Sequence, residues 1–322
     1  MATYKGINGF AVQSVASDPT FDEGQVWYNN TSYSFKLSAI STSGSWATSG
    51  NLNTARGIIA SAGTDTAGLA TGGNAGTTNC EKFNGSVWTN TTAFPTPTTY
   101  MAGCGTQTAA LTAGGGSGYV TDVKKFNGTT WSANPNGIPY GAEASSLLGI
   151  QTAAIWFGGG GAPGPGYPAE CASFNGTSFS STPSLNNDKR YGSMATGTQT
   201  AGLAAVGGSP QTANTEKWNG STWTNSGNLP FVNYNVSGNG VGTQGAAMLW
   251  LGSKPGPNTT TQYFNGSTWS DQSASLTYSA TAVAASGGTQ SACFSAGGGP
   301  AIATTNNWSG AGSQLTKTIT TS

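Results

Sequence analysis

The chain has no histidine, and only 7% of its residues are charged, 11 basic against 11 acidic. The first absence excludes a Ser/His/Asp triad, a Cys/His pair and imidazole metal ligation. The second leaves no basic field to hold nucleic acid and no polybasic patch to hold a membrane surface. Cys80, Cys104, Cys171 and Cys293 are few for 322 residues and read as small buried thiols, not disulfides. No run approaches the roughly 18 apolar residues of a membrane span, and Met1 to Gly6 lacks the apolar core of a signal peptide. The expectation is a protein neither secreted by signal peptide nor inserted in a membrane, with no metal and no cofactor.

Glycine is plentiful, at 50 residues, and it is ordered into repeats. The hexapeptide Trp218-Asn219-Gly220-Ser221-Thr222-Trp223 has counterparts beginning at Phe83, Phe126, Phe174 and Phe264, with a degenerate copy at Trp308. Their spacings of 43, 48, 44, 46 and 44 residues indicate one repeat domain in place of two unrelated ones. Asn-Gly between strand formers is a strong hairpin signal and predicts a two-residue type I′ turn. That turn would set Trp218 opposite Ser221 and Glu216 opposite Trp223, with both tryptophans on one face. A lone hairpin cannot hide such a patch from water, so neighbouring units must stack on it.

A second signature, Gly-Thr-Gln-Thr or a near variant, begins at Gly63, Gly105, Gly149, Gly197, Gly242 and Gly288. It lies between short runs of small and aliphatic residues, the second of which ends in a glycine pair in most units. Each unit therefore reads as four strands, the pattern of a β-propeller blade. Trp46 precedes Arg56 by 10 residues, as Trp88 precedes Thr98, so Trp46 takes a fourth-strand position whose companions lie near residues 281 to 308. The predicted fold is all-β: a six-bladed propeller over 43–308 whose ring is closed by Ser43 to Ser49 in the last blade. Residues 1–42 form an N-terminal arm, and 309–322 a tail or an extra strand.

The glycine pairs, the aromatic of the third strand and the Trp of the fourth resemble the kelch repeat family over residues 46 to 308. Only Arg56 and Arg190 keep that family's inner-strand arginine, and the Asn-Gly turn is tighter than its usual loop. The resemblance implies the fold. Kelch-type copper oxidases need histidine ligands, and sialidase-type propellers need an arginine cluster, so neither chemistry carries over. Glu143, Glu170 and Asp188 fall near unit junctions but form no recognisable pair for glycoside hydrolysis. No catalytic residue is assigned.

In a four-stranded blade, the first-to-second and third-to-fourth turns share one face, which is monotonous here. The opposite face differs from unit to unit and carries Tyr119, Tyr140, Tyr167, Tyr191, Tyr234 and Tyr278. These rings either pack the junctions or stack on a sugar or protein ligand. The aromatic run with Trp27, Tyr28, Tyr33 and Phe35 reads as a hairpin that either caps the repeats or docks on another protein. The segment Glu23 to Lys36 resembles a short element of bacteriophage virion proteins, especially those of marine phages. That resemblance implies a non-enzymatic virion protein, assembled in the host cytoplasm, whose arm docks on other virion proteins. Its propeller would bind a host surface glycan or protein, as a tail fibre or tail-tip adhesin. A capsid decoration or head-fibre protein is the alternative, and an intracellular kelch scaffold the second; a homo-oligomer is compatible with each.

Overall fold

The computed structural model describes residues 13–17, 26–40, 43–74, 77–116, 118–161, 169–187, 192–207, 212–232, 240–250, 252–254, 256–257, 259–278, 284–311 and 314–319. Among them there is no helix. The chain divides into two compact units, Ser45–Ser309 and a smaller one made of Met1–Gly44 with Gly310–Ser322.

The larger unit holds six antiparallel sheets of four strands. The first is Ala60–Thr64, Ala67–Thr71, Cys80–Phe83 and Trp88–Asn90. The second is Ala102–Thr106, Ala109–Ala113, Val123–Phe126 and Trp131–Ala133. The third is Ser146–Ile150, Ala153–Phe157, Cys171–Phe174 and Phe179–Thr182. The fourth is Met194–Thr198, Ala201–Gly207, Thr212–Trp218 and Trp223–Asn225. The fifth is Gly240–Gly242, Ala247–Trp250, Thr261–Phe264 and Trp269–Gln272. The sixth joins Ala285–Gly288, Ala292–Ala296 and Thr305–Ser309 to Ser45–Ser49, which sets Trp46 opposite Trp308.

Each sheet's first strand packs against the first strand of the next, and that of the sixth packs against that of the first. Small residues are required there. A Cβ on Gly103 would stand 2.7 Å from the Ser61 carbonyl oxygen, and one on Gly287 would stand 2.7 Å from the Gly63 carbonyl oxygen.

The Asn-Gly hairpins differ from the sequence expectation. Trp218 pairs directly with Trp223, and Glu216 with Asn225, so the loop has four residues, Asn219 to Thr222. The asparagine is not in the left-handed region that a type I′ turn demands; only the glycine is, with φ between 91° and 96° in the five loops. Instead the Asn219 side-chain oxygen accepts the amides of Ser221 and Thr222, and Asn84, Asn127, Asn175 and Asn265 do the same. The flanking aromatics face each other with ring centroids 4.6 to 5.3 Å apart.

Neighbouring sheets are stitched by the glutamine of the first turn. Gln107, Gln151, Gln199, Gln244 and Gln290 each donate both amide hydrogens to the preceding sheet, at 2.6 to 3.2 Å. One acceptor is a second-strand carbonyl, and the other is the carbonyl of the aromatic before the loop. The equivalent residue of the first sheet is Asp65, and a carboxylate cannot donate. There the sixth sheet meets the first through other contacts: Trp88 Nε1 donates to Thr305 Oγ1 (3.0 Å), Asn307 Nδ2 to the Gly85 carbonyl (2.8 Å), and Phe83 lies 5.4 Å from Phe294.

The smaller unit is a four-stranded sheet in the order Gln13–Val15, Val26–Asn29, Ser34–Ile40 and Gln314–Thr318, with the first pair parallel and the others antiparallel. The C-terminal segment is thus an added strand and not a free tail. Asn29 closes the hairpin turn as the repeat asparagines do, accepting the amides of Thr31 and Ser32.

Replacing Gln199 or Gln244 by Ala should lower stability by about 1–3 kcal/mol, because two carbonyls lose their donor. Asp65→Gln should raise it by about 0.5–1.5 kcal/mol. Urea unfolding of the variants checks both signs, and an Asp65→Gln protein weaker than the parent would show that the missing stitch is not a weakness.

Candidate functional site

The face opposite the Asn-Gly loops begins at the entry to each inner strand. There Ile58, Tyr100 and Ala144 adopt φ of 60°, 55° and 52°, and Gly192, at the same position, 68°. Side chains with a Cβ disfavour this region at a cost of order 1 kcal/mol or more. The backbone uses it to reach across sheets: Ala144 N–H donates to the Tyr100 carbonyl (2.9 Å), and Gly192 N–H to the Ala144 carbonyl (2.8 Å).

Inside this entry the inner strands of all six sheets line a cavity of about 270 Å³. Its lining includes Ser61, Gly103, Leu147, Ala195, Gly240 and Ser286, and no charged residue among the described ones. Ser145 and Ser193, one residue beyond the strained entries of the third and fourth sheets, line it as well. Each is 1% exposed, and neither hydroxyl has a hydrogen-bond partner within the protein.

The structure separates the six tyrosines. Tyr119 is 37% exposed beside Val120, in a left-handed backbone position. Tyr140 is turned inward: its ring lies 4.8 Å from that of Trp156, and its hydroxyl donates to the Gly158 carbonyl at 3.4 Å. Tyr278 likewise joins a polar chain, its hydroxyl 2.7 Å from Ser295 Oγ, which also accepts Trp250 Nε1 at 2.8 Å. Burial pushes both phenols well above their ordinary range, first through desolvation. Both rings thus pack in the junctions while remaining half-buried. Tyr167, Tyr191 and Tyr234 lie outside the described residues, as do Arg190 and Asp188.

The run around Trp27 also divides. Sheet alternation puts Tyr28 and Phe35, 5.2 Å apart, on one face with Val26 and Leu37, and Trp27 on the other. Trp27 is 1% exposed, which corrects its assignment as a docking residue. Val26, Phe35 and Ile319 are 42%, 47% and 45% exposed, and Tyr33, in the turn, 81%.

Buried polar groups in the larger unit serve packing. Glu81 pairs with Arg56 and accepts Asn53 N and Nδ2 at 2.8 and 2.9 Å. Glu216 accepts the backbone and side-chain amides of Asn186 and Asn187 at 2.7 to 3.2 Å. Both carboxylates are fully buried and engaged, which suits neither to proton transfer with a substrate. Glu170 is exposed. All four cysteines are buried and free. Burial pushes Cys104 and Cys171 up to about 12, so they stay protonated and unreactive at neutral pH. Among the described residues no cluster of three or more acidic or cysteine side chains could hold a metal, and no helix is long and apolar enough to cross a membrane.

Two cysteines have a further role that sequence spacing contained but reasoning on single residues missed. The residue three before each third-strand aromatic faces the fourth-strand ring of the following sheet. Thr215 accepts Trp269 Nε1 (2.9 Å), Thr261 accepts Trp46 (2.8 Å) and Thr305 accepts Trp88 (3.0 Å). Cys80 packs with Trp131, and Cys171 with Trp223, in shared apolar clusters, and neither indole N–H has a hydrogen-bond partner in the protein. Where that ring is Phe179, which has no N–H to satisfy, the residue is Val123 in the same apolar cluster.

No protein-family model matches the sequence, and no curated protein matches it. Among solved structures, one titled "Structure of YjhT" superposes with a TM-score of 0.63 at 14% identity, covering 80% of this chain and 95% of that one. At that identity the likeness establishes the fold alone: the chain is a β-propeller-type protein.

Thr215→Val should cost about 1–3 kcal/mol by leaving the Trp269 N–H buried and unpaired. Val in place of Cys80 should cost less, since the Trp131 N–H has no hydrogen bond to lose; equal losses in thermal unfolding would refute the assignment. The native thiols should resist iodoacetamide until the protein unfolds, and rapid labelling at neutral pH would mean that a cysteine is accessible.

Proposed function

We propose that the chain is a non-enzymatic virion structural protein of a bacteriophage, made of a small docking unit and a six-bladed propeller closed by Ser45–Ser49. The observation that carries the reading is the largely apolar face of the small sheet, where Val26, Tyr28, Phe35, Leu37 and Ile319 share a face with Lys317, opposite Leu37, and the exposed Tyr33 is in the adjoining turn. Scattered exposed apolar residues are ordinary, but a contiguous set on one sheet face suits a protein contact. Tyr28, Tyr33 and Phe35 belong to the segment that resembles phage virion elements, so the face and the resemblance fall on the same residues. Other virion proteins are its natural partners.

The closed-ring reading draws on two sets of contacts: the inner strands packing from first to sixth and back to first, and the pairing of Trp46 with Trp308. On this reading the ring presents its variable face to a host surface glycan or protein, as a tail fibre or tail-tip adhesin. A capsid decoration protein or head fibre would have the same two-part construction.

Phe35→Asp in the full chain should reduce particle incorporation about tenfold or more, as expected for an aromatic anchor, and leave the unfolding midpoint nearly unchanged. Mass spectrometry of purified particles reads the outcome. Undiminished incorporation would remove the face from the docking role, and absence of the parent protein from particles would overturn the virion reading.

A further inference from the structure

We propose that the axial cavity of the larger unit binds a single neutral, polyhydroxylated ring, a terminal pyranose residue of a surface saccharide. The argument starts from the edge of each sheet. Every inner strand is the terminal strand of its sheet, so its outward backbone N–H and C=O groups have no strand partner. Some of these groups are bonded to neighbouring inner strands, where the Ser193, Gly242 and Gly240 carbonyls accept the Ser146, Thr196 and Ser286 hydroxyls and Ser286 N–H donates to Ser61 Oγ; the others leave donors and acceptors along the cavity wall. To these the third and fourth sheets add Ser145 and Ser193, buried hydroxyls without a protein partner, both lining the cavity. A buried polar group left unpaired is unfavourable, and a ligand hydroxyl, which both donates and accepts, satisfies either serine.

The chemistry of the lining narrows the ligand further. Among the described residues no charged side chain lines the cavity, so there an anionic or cationic ligand would lose its hydration without gaining a counter-charge. A wholly apolar ligand would leave the two serines and the strand edges unsatisfied. In the first and second sheets the positions equivalent to the serines are Ile59 and Met101, which also line the cavity and offer an apolar surface to the C–H face of a ring. A volume of about 270 Å³ lies just below that of ordinary drug-sized pockets and suits one small ring, not an oligosaccharide chain. The strained entries at Ile58, Tyr100 and Ala144 set the backbone at the mouth, with the variable loops beyond it.

This inference rests on the reading of the propeller as a displayed binding surface and names the ligand class for it. The test uses the full chain with the methyl glycosides of glucose, galactose and mannose at millimolar concentration, and with N-acetylneuraminic acid as the anionic comparison. Saturation-transfer NMR and calorimetry should show binding of at least one neutral glycoside and none of the acid. The Ser145→Ala, Ser193→Ala double variant should lose affinity about tenfold or more, with a melting temperature equal to or above the parent's, since two unpaired hydroxyls are removed. No binding of any neutral glycoside, equal binding of the acid, or unchanged affinity in the double variant would overturn the proposal. Particle incorporation is independent of these readouts: a virion protein with an inert cavity would sink only the ligand proposal, and a glycoside-binding protein absent from particles only the virion reading.

Discussion

Neighbouring sheets meet through an aromatic ring on the outer strand of one and a single residue on the third strand of its predecessor, and that contact governs what the rest of the unit can be. A buried indole fills the widening gap between two sheets, but its N–H needs an acceptor. Thr215, Thr261 and Thr305 supply oxygen, whereas Cys80 and Cys171 only pack against their indoles, whose N–H groups stay unpaired. Val123 appears where the ring is phenyl, and Phe179 packs in its cluster. The choice at one position thus follows the ring of the next unit, not the ring of its own. Spacing alone could not explain why cysteine recurs three residues before an aromatic; the partner lies in a different repeat.

Much of the architecture was legible because its signals are periodic. The hexapeptides, the glycine pairs and the Gly-Thr-Gln-Thr turns delimit four strands per unit, and the strands lie where those signals put them. The loop type was misread, since Asn-Gly also suits a four-residue loop in which the asparagine side chain, not its backbone, makes the turn. The consequence for packing survived the error. Lengthening the loop by two residues on its C-terminal side shifts the pairing by two positions, an even number that leaves each residue on its face, so Trp218 and Trp223 remain together, directly opposite where a diagonal pair was expected.

The candidate site was less legible, because exposure is a tertiary property. Tyr140 and Tyr278 are as plausible as Tyr119 in a linear reading, yet Trp156 and Ser295 draw the first two inward. Trp27 and Tyr28 are neighbours in sequence and opposites in the sheet, a distinction that strand alternation could have supplied once the hairpin register was fixed. Ser145 and Ser193 carried no local signal at all. They become notable only when six inner strands are brought around one cavity.

The two faces of the propeller are under different constraints, and this bears on where variation can accumulate. On the loop face, each glutamine donates to two carbonyls of the preceding sheet, and each asparagine closes its own hairpin. Lys82 and Lys125 add bonds to the Gly128 and Gly176 carbonyls of the following loops, lying over the rings of Phe126 and Phe174. A substitution there breaks a bond to a neighbouring sheet as well as a local one, so its effect is felt at an interface. On the opposite face the sheets hold one another through backbone bonds such as Ala144 to Tyr100, which are indifferent to most side chains. Loops on that side can change length and composition while the stitches beneath them stay intact. A scaffold whose cohesion is concentrated on one face is free to diversify the other, because change there is least costly.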